Sequence, residues 1–66
     1  MKVTVNGKAH ELAGGATVFE LVESLGLDPD AIVVERNATV LERERYDDTR
    51  LADGDTLELV RFVGGG

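Results

Sequence analysis

Few side chains in this sequence could do covalent chemistry. There is no cysteine, so no thiolate can act as nucleophile or soft metal ligand. His10 is the lone histidine, which rules out a multi-histidine metal site. Oxygen ligands are plentiful, but they follow no calcium-loop spacing, and no metal is expected. What is left is the end of the chain, Gly64-Gly65-Gly66. A run of three glycines adopts any φ and is slender enough to thread a tunnel in a partner. It leaves the Gly66 carboxylate open to attack. Glycine runs also mark termini that simply fray. The choice between these readings depends on the element that carries the tail.

That element is a final strand over Thr56 to Phe62. Its alternation puts Leu57 and Leu59 on an inward face, with Glu58, Val60 and Phe62 on the other. The outer face therefore starts charged and turns apolar toward the glycines. A bulge could turn Phe62 inward. A straight strand would instead leave Val60 and Phe62 as an exposed apolar patch beside the tail, and these two with the adjoining Val63 are expected to dock a partner. The straight strand is favoured, because a continued inward face would have to bury Arg61.

The elements before it can be read in turn. Lys2-Val3-Thr4-Val5 alternates like a half-buried strand, Asn6-Gly7 is a strong hairpin signal, and Lys8 to Leu12 returns as the second strand. Thr17-Val18-Phe19-Glu20 has capping-box spacing. Val18, Leu21, Val22 and Leu25 then share one face of a helix that ends at Gly26, before Asp28-Pro29-Asp30. Phe19 lies off the centre of that face and is expected at the core edge, whereas His10 is expected to face solvent. Ile32 to Glu35 is a third strand, and Arg36-Asn37-Ala38 turns into a fourth at Thr39-Val40-Leu41. Glu42 to Asp48 is charged and aperiodic, a solvated loop or short helical turn anchored by Tyr46. Leu51 is expected to return to the core, and Asp53-Gly54-Asp55 to turn into the last strand.

This order, β-β-α-β-β-β, predicts an α+β β-grasp: a mixed sheet of about five strands wrapped on one helix. The first and last strands should lie parallel at its centre. One domain is expected over 1–63, with a flexible glycine tail over 64–66. A chain of 66 residues barely builds a core, let alone a cleft, so a binding or carrier module is favoured over an enzyme. Seven basic against thirteen acidic residues give a formal charge of −6, which disfavours nucleic acid and anionic membranes and suits a basic protein partner. No apolar run approaches the roughly 20 residues of a membrane span, and no signal-peptide pattern follows Met1. A cytoplasmic protein, monomeric when free, is expected.

Taken together, Val3-Thr4-Val5-Asn6-Gly7, Thr17-Val18-Phe19-Glu20-Leu21-Val22, Val34-Glu35-Arg36-Asn37, Arg45-Tyr46, Asp53-Gly54-Asp55 and Phe62-Val63-Gly64-Gly65-Gly66 resemble the ThiS family, the sulfur carriers of bacterial thiamine biosynthesis. The resemblance covers essentially the whole chain. Its fold is shared with ubiquitin and with MoaD, the small subunit of molybdopterin synthase. The resemblance implies that a ThiF-like adenylyltransferase uses ATP to activate the Gly66 carboxylate, and that a sulfur-delivery protein converts it to a thiocarboxylate. A ThiG-like thiazole synthase then accepts the sulfur. Gly64 and Gly65 would be the tether, and no cofactor would be bound. A carrier without cysteine has only carboxylates on which to hold sulfur. A MoaD-like carrier, a carrier for another sulfur pathway and a ubiquitin-like modifier remain open at this point.

Overall fold

The computed structural model describes residues 1–61. The alternation at the N-terminus forms β1 (Lys2–Val5), which buries Val3 and Val5 and leaves Lys2 exposed. Asn6 and Gly7 both have positive φ, 49° and 82°, as a two-residue hairpin of this hand requires. β2 (Lys8–Glu11) pairs antiparallel with β1 in the register Val5↔Lys8 and Val3↔His10. That register puts His10 on the core-facing side of the sheet, where it is half-buried; the expectation that it faces solvent is corrected to this extent. β2 ends one residue before the expected Leu12, though the Leu12 N–H still donates to the Met1 carbonyl at 2.8 Å.

α1 (Val18–Ser24) begins at the expected capping box. The Glu20 N–H donates to Thr17 Oγ1 at 3.1 Å, and the Thr17 N–H donates to Glu20 Oε1 at 2.8 Å. Two further donors of the first turn are taken by the distant 46–49 segment: Val18 N–H by the Thr49 carbonyl and Phe19 N–H by the Tyr46 carbonyl. At the other end Gly26 has φ 74°. Its N–H donates to Glu23, and the Leu27 N–H donates to Val22, so orphan carbonyls find partners in a Schellman arrangement. Val18, Leu21 and Val22 are buried, and Leu25 and Phe19 pack against the core edge.

A 3₁₀ turn, Pro29–Ala31, with Asp28 capping it, leads into β3 (Ile32–Arg36). The Asn37-Ala38 turn carries positive φ at both residues, 51° and 70°, and returns the chain as β4 (Thr39–Leu41). The charged stretch forms a 3₁₀ turn, Arg43–Arg45, followed by Tyr46. Tyr46 is 2 % exposed, and its hydroxyl donates to the Ile32 carbonyl at 2.7 Å. Leu51 returns to the core as expected. The last described element is β5 (Thr56–Arg61).

The five strands form one sheet in the order β2-β1-β5-β3-β4. β5 lies in the middle, parallel to β1 and antiparallel to β3. The inward residues of β1, β3 and β5 (Val3, Val5, Ile32, Val34, Leu57 and Leu59) meet the helix face. This is the β-grasp that the element order implied. No helix among the described residues is long and apolar enough to cross a membrane.

Candidate functional site

β5 leads to the glycine run, and its backbone is held at Thr56 and at Leu59 by side chains from other turns. At its start, Asp55 is 7 % exposed although it is charged. Its carboxylate accepts from Arg36 Nε at 2.9 Å, Asn37 Nδ2 at 3.1 Å and the Ala52 N–H at 2.8 Å. Burial alone would push this carboxyl up; the Ala52 N–H, the Asn37 amide and the Arg36 guanidinium outweigh it and hold the group below its ordinary value. Asn37 also grips the next residue. The Thr56 N–H donates to Asn37 Oδ1 at 2.9 Å, and the Asn37 N–H donates to the Thr56 carbonyl at 2.7 Å.

Further along, Asn6 reaches the same strand from the β1–β2 turn. Its N–H donates to the Leu57 carbonyl at 2.9 Å. Its amide then accepts from the Leu59 N–H at 2.8 Å and donates to the Leu59 carbonyl at 3.2 Å. The sequence marked Asn6 as a turn former, Asp55 as a turn residue and Asn37 as part of a motif. It did not show that all three converge on β5, because the contacts span 18 to 53 residues and exist only in the folded register.

The outer face of the sheet is the second feature. β5 pairs with β3 without interruption from Leu57↔Arg36 to Arg61↔Ile32, so no bulge occurs through Arg61. Val60 is 55 % exposed, on the face where alternation placed it. Directly opposite is Val33, 37 % exposed, and Val40 on β4 is 62 % exposed. Val40 lies opposite Glu35, diagonal to Val33 across the strand pair. These are the exposed large apolar residues among those described. Val33 and Val40 were not marked from sequence, although alternation within Ile32-Val33-Val34 gives Val33 away once its neighbours are buried. Phe62 and Val63, the rest of the expected patch, lie outside the described residues, as do Gly64, Gly65, Gly66 and the expected boundary after residue 63.

The patch has an acidic border. Glu35 and Glu58 sit directly opposite one another, and neither forms an ion pair among the described residues. Beyond Val33 and Val40 the surface dips into a cleft of about 400 Å³ lined by Ile32, Leu41, Arg43 and Tyr46. Arg43 lies over both the Phe19 and Tyr46 rings, 5.6 and 5.1 Å from their centroids, and pairs with Asp30 at 2.8 Å. The charged segment is thus largely solvated, as expected, with Arg43 its exception. A larger cleft of about 720 Å³ lies where the Gly14-Gly15 loop meets the start of α1; no β5 residue lines it. The surface near β5 presents Val33, Val40 and Val60 exposed beside Glu35 and Glu58.

Comparison with known proteins agrees with this fold. The model of the ThiS family matches residues 3–66. The chain is 42% identical over 50 residues to the sulfur carrier protein ThiS of Bacillus subtilis, covering 76% of each. It is 39% identical over its whole length to a thiazole synthase of Magnetococcus marinus, of which it spans only 20%. Among solved structures, the crystal structure of the thiamine biosynthesis protein ThiS of Geobacter metallireducens superposes with a TM-score of 0.85 at 42% identity, covering 100% of both chains.

Proposed function

The chain belongs to the ThiS family, and on that premise we propose that it carries sulfur as a thiocarboxylate on Gly66, loaded by a ThiF-like adenylyltransferase and discharged to a thiazole synthase. The observation that carries this reading is the family match, which runs through the glycine run at the end of a strand held on both sides. Its relatives in Bacillus subtilis and Escherichia coli are named sulfur carrier protein ThiS, and the similar Geobacter metallireducens structure is of a thiamine biosynthesis protein.

The chemistry follows from the weakness of a carboxylate as an electrophile. A Gly66 carboxylate oxygen attacks the α-phosphorus of ATP, and pyrophosphate leaves. The acyl-adenylate has a carbonyl carbon that sulfur can attack. Sulfur delivered as a persulfide attacks it, AMP leaves, and a thiol cleaves the sulfur–sulfur bond to leave the thiocarboxylate. The protein supplies no acid or base to these steps. It supplies recognition through the Val33, Val40 and Val60 face, and delivery through the glycine tether. Thirteen side-chain carboxylic acids are chemically similar to the terminal one, so threading into the activating enzyme must provide selectivity. The thiazole synthases that contain a stretch similar to this whole chain favour the thiazole route over the molybdopterin one.

Intact mass spectrometry tests this. Incubation with the cognate adenylyltransferase, ATP and a sulfur source should shift the chain by one oxygen-to-sulfur exchange. Deleting Gly65 and Gly66 should abolish the shift and leave the fold intact. An unshifted wild-type mass with an active cognate enzyme would overturn the proposal.

A further inference from the structure

β1 ends at Val5 and the chain turns away at Asn6, but β5 continues to Arg61. Along a strand, successive residues aim their N–H and C=O groups at opposite neighbours. Leu57 presents its carbonyl to the β1 side, where the Asn6 N–H meets it. Leu59 faces the same side one step further on, where no β1 backbone remains. The Asn6 side chain fills that position. Its amide offers both an acceptor oxygen and N–H donors, and it satisfies both groups of Leu59, at 2.8 and 3.2 Å. Among the described residues, Leu59 is the last residue of β5 held from the β1 side; Val60 and Arg61 are paired with β3.

The turn itself does not need an amide. It needs a residue that accepts φ 49°, and glycine or aspartate would serve. Only the pairing with Leu59 requires both a donor and an acceptor. A glycine offers neither. An ionised aspartate keeps the acceptor but sets a negative charge against the Leu59 carbonyl.

We propose that Asn6 is a positioning residue for the reactive tail: its amide latches β5 at Leu59 and so fixes the strand from which the tail is delivered to a partner's active site. The inference rests on the carrier reading above. Gly64 follows Leu59 by only five residues, so the course of the strand sets where the tether begins. A tail delivered from a fixed point reaches a reacting geometry more often than one delivered from a swinging strand. Misplacement of about 1 Å far from the chemistry can cost a hundredfold in rate. Asn6 lies in the β1–β2 turn and not among the exposed valines of the outer face, so its loss should reach the chemical step rather than docking.

The test compares wild type, Asn6→Gly and Asn6→Asp with Thr17→Ala, which weakens the fold at the helix cap, away from β5. The carrier is titrated against its adenylating enzyme, and pyrophosphate release gives kcat and KM separately. Amide hydrogen exchange is followed at Leu59. Asn6→Gly should lower kcat about tenfold and leave KM within about threefold, since the lost element is orientation and not contact area. Its Leu59 amide should exchange faster. Asn6→Asp should fall between it and wild type. Thr17→Ala should keep the wild-type kcat. The latch is overturned if Asn6→Gly retains wild-type kcat, if Thr17→Ala loses as much, or if Leu59 exchange is unchanged. If wild type itself releases no pyrophosphate with an active cognate enzyme, the carrier reading falls and this role of Asn6 with it.

Discussion

Asp55 ties three parts of the chain together through one carboxylate: Arg36 at the end of β3, Asn37 in the next turn, and the Ala52 N–H. An asparagine side chain in its place has one acceptor oxygen instead of two and could not satisfy the same three donors. Asp55→Asn should cost about 2 kcal/mol at neutral pH, in the range for hydrogen bonds to a charged group. The sign of the pH dependence follows from the depressed pKa of this carboxyl. Its contribution is complete above the unfolded value of about 4 and is lost as pH falls through the lower folded value. Urea midpoints of wild type and variant should therefore differ by a constant amount from about pH 5 to 8 and converge below about pH 4. A gap that persists unchanged into acid would refute this account. Ala38 makes the opposite case. It holds φ 70° with a Cβ, in a turn whose hairpin counterpart places glycine at the same position. Ala38→Gly should raise stability by about 1 kcal/mol, several degrees in Tm for a domain this small. Neither residue's role was legible locally. Asp53-Gly54-Asp55 reads as a turn, but which aspartate is buried depends on Arg36 and Asn37, 19 and 18 residues away. Arg36-Asn37-Ala38 reads as a turn, but not as one that forces alanine into the left-handed region.

The elements themselves were far more legible, because their signals are local. The capping box at Thr17 and Glu20, the apolar face of α1 and the left-handed Gly26 are each fixed within one or two helical turns. The alternation in β5 placed Leu57 and Leu59 inward and Glu58 and Val60 outward, and the strand keeps that pattern through Val60, with Arg61 exposed after it. What local signals missed is pairing across strands. Glu35 and Glu58 face each other on the outer side of β3 and β5, where like charges repel. A fold optimised for stability alone would place opposite charges there. Glu58→Lys should stabilise the free protein by about 0.5 kcal/mol, read as a higher urea midpoint. If the outer face docks a basic partner, the same change should weaken loading by the adenylyltransferase. A variant that is both more stable and equally well loaded would mean that the pair plays no part in docking.

At the scale of the whole molecule, the parallel contact of β1 with β5 was legible because a helix and two hairpins leave few other ways to cover one apolar helix face. The composition of the exposed apolar face was not, since Val33, Val40 and Val60 come from three strands and meet only in the folded sheet. That face carries Glu35 and Glu58 beside its valines, without an ion-pair partner among the described residues, on a molecule with a formal charge of −6. Long-range attraction to a basic partner would act on encounter and be screened by salt, whereas apolar contact and tail threading would not. The kcat/KM for loading should therefore fall about tenfold between about 50 and 500 mM salt, with kcat nearly unchanged. Removing Gly65 and Gly66 separates the two parts of the molecule. The shortened chain should still bind the adenylyltransferase with the same salt dependence, measured by competition against wild type, and yet release no pyrophosphate. Salt-independent binding would assign recognition to apolar contact alone. Loss of binding on tail removal would move recognition from the sheet to the glycines.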